Sequence, residues 1–262
     1  MEWGGFNSHA VAGAVTSFDM QIDRDEDQGA QRFEKQISGR YLGEIARHVI
    51  VHLISSGVLF ARDDVSPTTR AAAGKVFGAK HAFTTPMMSA IEASAHDEIV
   101  RQARSQKMST SKFAEFYMGA TDAERKSIRD GWVAKTAMDQ VITLSAADSP
   151  AAFARQARMA QEFATLWMTA SDADRAIITE VCRMVSTRAA RLAAAAVVAV
   201  VRKTGRTSCT VAVDGSVFEK YPHFQADMED AIEEMCGNGR ALKLVHAEDG
   251  SGKGAALIAA IA

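Results

Sequence analysis

The chain has 262 residues, 47% of them hydrophobic, with 30 basic against 32 acidic side chains and a formal net charge of −2. That length admits one large domain or two small ones, and that apolar content supplies a sizeable core. Near-neutral charge without a basic block excludes an electrostatic nucleic-acid binder, so no nucleic-acid partner is expected.

In chain order, residues 1–6 read as a short strand. Residues 28–55 carry a helical repeat of Phe33, Ile37, Tyr41, Ile45, Val49 and Leu53 at intervals of four. Ser38-Gly39 interrupts it, so a break or kink is expected there. Val65-Ser66-Pro67 reads as a loop, and residues 94–107 as a helix. Residues 172–203 form a long predicted helix, with Ser171 or Asp172 as N-cap and Gly205 after its end. Its longest apolar run, residues 192–201, is ten residues, short for a bilayer and suited to a buried helix, so no membrane span is expected. Residues 209–213 read as a strand, followed by Asp214-Gly215. A helix over 222–236 with Pro222 near its start, a strand over 242–246 and a closing apolar helix complete a β-α-β-α order. That order belongs to an α/β domain.

One internal repeat stands out. FAEFYMGATDAER begins at Phe113 and FATLWMTASDADR at Phe163; seven of thirteen positions are identical at an offset of 50. In each copy a Thr or Ser precedes D-A-[ED]-R, a helix-start signal. Two copies are too few for a solenoid, so residues 109–168 are read as a helical insertion carrying a local duplication.

Several constellations have chemical and plain readings side by side. His48 and His52 have metal-compatible i, i+4 spacing, but no third ligand and no H-E-x-x-H accompany them, and no metal site is assigned. Cys182, Cys209 and Cys236 are odd in number and widely spaced. They form no C-x-x-C zinc pair and fit a reducing cytosol; no charged segment leading into an apolar one marks a secretory signal. Met87-Met88 reads as adaptable core filling. Ser186-Thr187-Arg188 with Arg191 could hold phosphate or pair with local carboxylates. The glycines at 250, 252 and 254 around Lys253 lack the spacing and the following hydroxyl of a phosphate loop; a packing turn fits better. In VAVDGSVFEKYP an apolar strand ends at Asp214, Gly215 and Ser216, and ligands of open α/β sheets bind beyond such strand ends. An ordinary Asp-Gly turn with a capping serine is the plain alternative.

MEWGGF, QRFEKQISGRYLGEIAR, FTTPMMSAIEAS, VSTRAARLAAA, VAVDGSVFEKYPHF and EDGSGKGAALIAAIA follow one another in this order. Together they resemble the eukaryotic-type hexokinases, over residues 1–107 and 169–262. The resemblance implies the large lobe of the actin-like ATPase (ribonuclease H-like) α/β fold, with added helices. It implies phosphorylation of a hexose, with ATP and Mg as cofactors, and a cytoplasmic location is expected. It makes Glu2 and Glu34 sugar ligands. It places Gly39, Arg40, Asp214, Gly215 and Ser216 at ATP, VAVDGSV as an adenosine motif and EDGSGKGAAL as an inter-domain connector. Ser105 falls near a phosphate-contacting hydroxyl of the family.

The family's first phosphate loop, small lobe, catalytic aspartate and second phosphate loop all precede its EWG motif. No catalytic residue is therefore assigned among these 262 residues, and the isolated chain is expected to be inactive. Residues 1–262 are expected to form the large lobe alone, with the missing small lobe or another chain as a partner. An apolar docking patch is expected near residues 1–6 and the closing helix. Gly29-Ala30 stands where Pro-Gly is usual before the FEK helix, which leaves that helix's N-terminal cap open. The alternative function is a non-catalytic sugar- or nucleotide-binding assembly protein derived from a hexokinase.

Overall fold

The computed structural model describes residues 14–61, 63, 65–96, 150–237 and 241–247. These fall into two compact units, one within Met1–Lys35 and Arg40–Val185 and the other within Gln36–Gly39 and Ser186–Ala262. The expected strand over 1–6, the closing helix, the first repeat copy and both ends of the expected docking patch lie outside the described residues.

The first unit is helical. α1 (Ser17–Asp25) opens on a capping box: the Asp19 amide donates to Thr16 Oγ1 at 3.3 Å, and the Thr16 amide donates to Asp19 Oδ2 at 2.7 Å. Thr16-x-x-Asp19 is the start signal that would have located this unanticipated helix. The expected helix over 28–55 is two helices, α2 (Arg32–Ile37) and α3 (Leu42–Ser55), with the break at Ser38-Gly39 as anticipated. Its start is displaced because Asp27, Gly29 and Gln31 all take positive φ, which a helix cannot accommodate.

α4 (Pro67–Gly78) begins where a loop was expected: Ser66 Oγ accepts the Thr69 amide at 3.0 Å, and Pro67 occupies the first helical position. α5 (Thr85–His96) was not anticipated as an element; of the helix expected over 94–107, residues 97–107 lie outside the described residues. α6 (Pro150–Thr169) packs against α4, and Phe163 joins Phe77, Phe83 and Trp167 in one aromatic cluster with centroid separations of 5.5–6.5 Å. Both Met87 and Met88 are buried, the core-filling role read from the sequence.

α7 (Asp172–Thr204) matches expectation closely. Ser171 Oγ accepts the Asp174 amide at 3.1 Å and donates to Asp174 Oδ2 at 2.6 Å, so Ser171 is the cap. Gly205 follows with φ 69°. By length and composition α7 could cross a membrane, with mean hydropathy 1.6, yet half of that apolar window is buried inside the protein. A buried core helix passes the same test.

In the second unit β1 (Ser208–Val213) and β2 (Ala241–His246) run parallel, with Ser208 opposite Ala241 and Val213 opposite His246. The crossover is two helices, α8 (Ser216–Lys220) and α9 (Phe224–Cys236). The expected single helix from Pro222 begins two residues later. Tyr221 is extended at ψ 131°, the conformation that a following proline imposes, and His223 at φ 61° completes the turn. Phe218, Tyr221, Phe224, Met228 and Ile232 bury the crossover, together with Leu244 of β2.

Candidate functional site

The β1 strand delivers Asp214-Gly215-Ser216 to the carboxyl edge of the parallel pair. The Ala247 amide donates to Val213 O at 3.0 Å, so both strands end at this edge. Asp214 and Ser216 are exposed, and Gly215 is half-buried. Gly215 is extended at φ 163°, a conformation open to any residue. Among the described residues, a Cβ there would meet no heavy atom within 4 Å. Neither backbone strain nor packing among the described residues therefore calls for glycine at 215.

Gly39 has a different reason. A Cβ at that position would lie 2.7 Å from Val217 Cγ2. The bend after α2 thus rests directly on the first turn of α8, one residue beyond Ser216. Two residues 178 positions apart in sequence (39 and 217) meet at this turn. From α7, Arg188 Nη2 donates to Gln36 Oε1 at 3.3 Å, and Thr187 Oγ1 donates to Asp227 Oδ2 at 3.4 Å. Arg191 makes a two-pronged pair with Glu234 at 2.8 and 3.0 Å. Arg191 thus pairs with a carboxylate, as the plainer reading held, whereas the partner seen for Arg188 is the amide of Gln36.

In the first unit, Glu34 stands half-buried on α2 between buried Phe33 and Lys35. Arg40 lies 5.4 Å over the Tyr41 ring, with Nη2 3.6 Å from Glu26 Oε2 and 70% of its side chain exposed. So exposed an ion pair is weak, and the guanidinium can exchange it for another anion. Tyr41 is buried; desolvation raises its phenol pKa, against the opposing charge of Arg40.

A charged clamp precedes α2. Lys35 Nζ donates to Asp23 Oδ1 at 2.9 Å, to Asp27 O at 2.9 Å and to Glu26 O. Both Asp23 oxygens accept the Gly29 amide at 3.1 Å. Burial pulls the Asp23 carboxyl upward, but the Lys35 bond, the Gly29 amide and the charges of Lys35 and Arg32 outweigh it, leaving its pKa lowered. Glu26 is also lowered, chiefly by its bond to Lys80. This network holds the loop that leads into α2.

His48 and His52 do not converge. The His48 ring meets the Arg47 guanidinium at 3.0 Å, and burial followed by that charge depresses its pKa. The His52 ring packs edge-on against Phe18. Among the described residues no cluster of three His, Cys, Asp or Glu could hold a metal. Glu2 and Ser105 lie outside the described residues.

Sequence reasoning missed Gly43. A Cβ there would sit 2.5 Å from the backbone of Phe83, Thr84 and Thr85, and its amide donates to Thr85 Oγ1 at 2.9 Å. No local pattern signals this contact, because its partner lies 42 residues away.

Comparison with solved structures places the fold in the actin-like ATPase class. A Schistosoma mansoni hexokinase complexed with glucose aligns over all of this chain and 45% of its own, with TM-score 0.61 and 26% identity. A second solved hexokinase, at 22% identity, aligns with TM-score 0.58. The family model described as Hexokinase matches residues 1–134 and 97–261, and the chain belongs to the hexokinase family. Hexokinase-3 of Mus musculus is 31% identical over 270 residues, and Hexokinase-1 of Schizosaccharomyces pombe is 28% identical over 264. The chain spans 22% of the mouse protein and 41% of the yeast one.

Proposed function

We propose that this chain supplies the sugar-binding carboxylates and the adenosine-binding turn of an ATP-dependent hexose kinase. Glu2 and Glu34 would accept hydrogen bonds from sugar hydroxyls, in short charge-assisted contacts. A sugar lacking one hydroxyl would leave a carboxylate unpaired, which is the basis of discrimination against deoxy analogues. Within the second unit, Gly39, Asp214, Gly215 and Ser216 would face the nucleotide.

The observation that carries the nucleotide half is the contact of Gly39 with Val217, the residue that follows the Asp214–Ser216 turn at the strand edge. Among the described residues no atom lies near a Cβ at 215, which leaves room on that side for a flat ring or a ribose. The polar groups on either side are exposed. Adenosine fits this donor set. Magnesium would come with the nucleotide, held largely by its phosphates and water; among the described residues no group of three His, Cys, Asp or Glu forms a dedicated metal cage. When bound, ATP supplies the phosphoryl group, and these residues orient its adenosine end.

Titration of a fluorescent ATP analogue, displaced by ATP, tests the reading. Gly215→Val should weaken binding roughly tenfold or more, the size expected when a good contact is lost, without lowering the melting temperature. Unchanged nucleotide affinity in that variant would remove the turn from the site.

A further inference from the structure

α2 is six residues long. A helix so short has little stability of its own, since isolated helices below about 12–15 residues are marginal in water. Its direction and its rotation about its axis must be imposed by its neighbours. Successive residues on a helix are about 100° apart, so Phe33 and Lys35 project to either side of Glu34. Phe33 is 4% exposed and Lys35 3%. Fixing those two side chains fixes where the Glu34 carboxylate points.

The two anchors differ in kind. Phe33 is held by non-directional packing. Lys35 is held by three acceptors at defined places: Asp23 Oδ1 on α1 and the carbonyls of Glu26 and Asp27 in the loop. The Nζ has three donors, and each has a partner. Asp23 in turn grips the Gly29 amide through both oxygens and lies 3.4 Å from Arg32 Nε. The loop between them holds Asp27 at φ 33° and Gln31 at φ 48°, conformations that L-residues disfavour. Such a loop keeps its shape only if its surroundings hold it.

We infer that Lys35 is a positioning residue for sugar recognition, tying α1 and the 26–31 loop to α2 so that the neighbouring Glu34 carboxylate is held ready for a hydroxyl. This rests on the reading of Glu34 as a sugar ligand. Lys35 itself touches no substrate. The benefit is pre-organisation: a carboxylate already aimed binds without first losing freedom, and a misplacement of an ångström costs much of the contact.

The test is a double-mutant cycle read by glucose titration, using saturation-transfer NMR on the 262-residue chain. Lys35→Met should weaken glucose binding roughly tenfold, the scale of a misaimed polar contact. In a Glu34→Gln background the same change should have no effect beyond about twofold, because its target is gone. The Gly29 amide should also exchange faster with solvent in Lys35→Met. Equal losses in both backgrounds would make Lys35 a general fold support and overturn the inference. Unchanged affinity in Lys35→Met, with the parent binding, would overturn it while leaving the sugar reading intact. A parent chain that binds no glucose overturns the reading of Glu34 and this inference together. If Lys35→Met does not fold, Asp23→Asn, which keeps the shape but weakens the clamp, should lower affinity in the same background-dependent way. The absence of that pattern would also overturn the inference.

Discussion

Three glycines in one family pattern have three physical reasons, and substitution separates them. At Gly43 an added methyl would lie 2.5 Å from main-chain atoms of residues 83–85, which cannot swing aside. Gly43→Ala should cost about 3 kcal/mol or more, the upper range for overpacking, measured by urea unfolding. At Gly39 the obstacle is one methyl of Val217, 2.7 Å away. Gly39→Ala should cost about 1–3 kcal/mol, and Val217→Ala in the same chain should recover most of it. Failure of that rescue would show that the bend and the α8 turn do not meet as described. At Gly215 nothing among the described residues opposes a side chain, so Gly215→Ala should leave stability within about 0.5 kcal/mol.

At the scale of elements, the α1–loop–α2 clamp makes a pH prediction. Asp23 and Glu26 both ionise more readily in the folded chain than at their ordinary 3.8 and 4.5. Their contribution is therefore fully present above those values and is lost as pH falls through the lower folded ones. Unfolding free energy should drop below pH 4.5, and Glu26→Gln should flatten part of that drop in urea titrations. The N-terminus of α7 makes another prediction. Asp174 is 1% exposed, and its Oδ1 accepts the Phe60 amide at 2.9 Å. Asp174→Ala leaves that amide buried without a partner and should cost about 1–3 kcal/mol. How much of this was legible in the sequence depends on where the deciding interaction lay. The α7 cap, its terminal glycine and both described strands follow from local chemistry and were anticipated to within a residue. α4 carried its own signal in Ser66-Pro67, which was read only as a loop. The α2 start was not legible, because a clamp between residues up to twelve apart and three positive φ angles decide it. The Gly39–Val217 contact was not legible from periodicity either. The family resemblance had assigned both segments to ATP without saying that they touch.

At the scale of the whole molecule, the resemblance puts the family's base and phosphate loops ahead of EWG, and the 262 residues span 22–45% of relatives' lengths. The repeat supplies the last prediction. The second copy is structural: Phe163 and Trp167 sit in the aromatic core, Ser171 caps α7, and Arg175 Nη1 donates to Trp167 O at 2.9 Å. The first copy offers Phe113, Tyr117, Thr121 and Arg125 at the matching places. The two matched stretches of the family model, 1–134 and 97–261, overlap over 97–134, and each includes that first copy. A tandem duplication explains both facts, since the family pattern then reads into one copy and out of the other. Closing a shorter connection is also slightly favourable, as loop entropy changes only slowly with length. Deleting residues 113–162 merges the copies, keeps Phe163 onward, and should leave cooperative thermal unfolding by circular dichroism. In the same assay Phe163→Ala should lose about 3–5 kcal/mol by emptying the cluster. If the deletion abolishes folding while Phe163→Ala only weakens it, residues 113–162 are part of the core and the tandem-duplication reading is wrong.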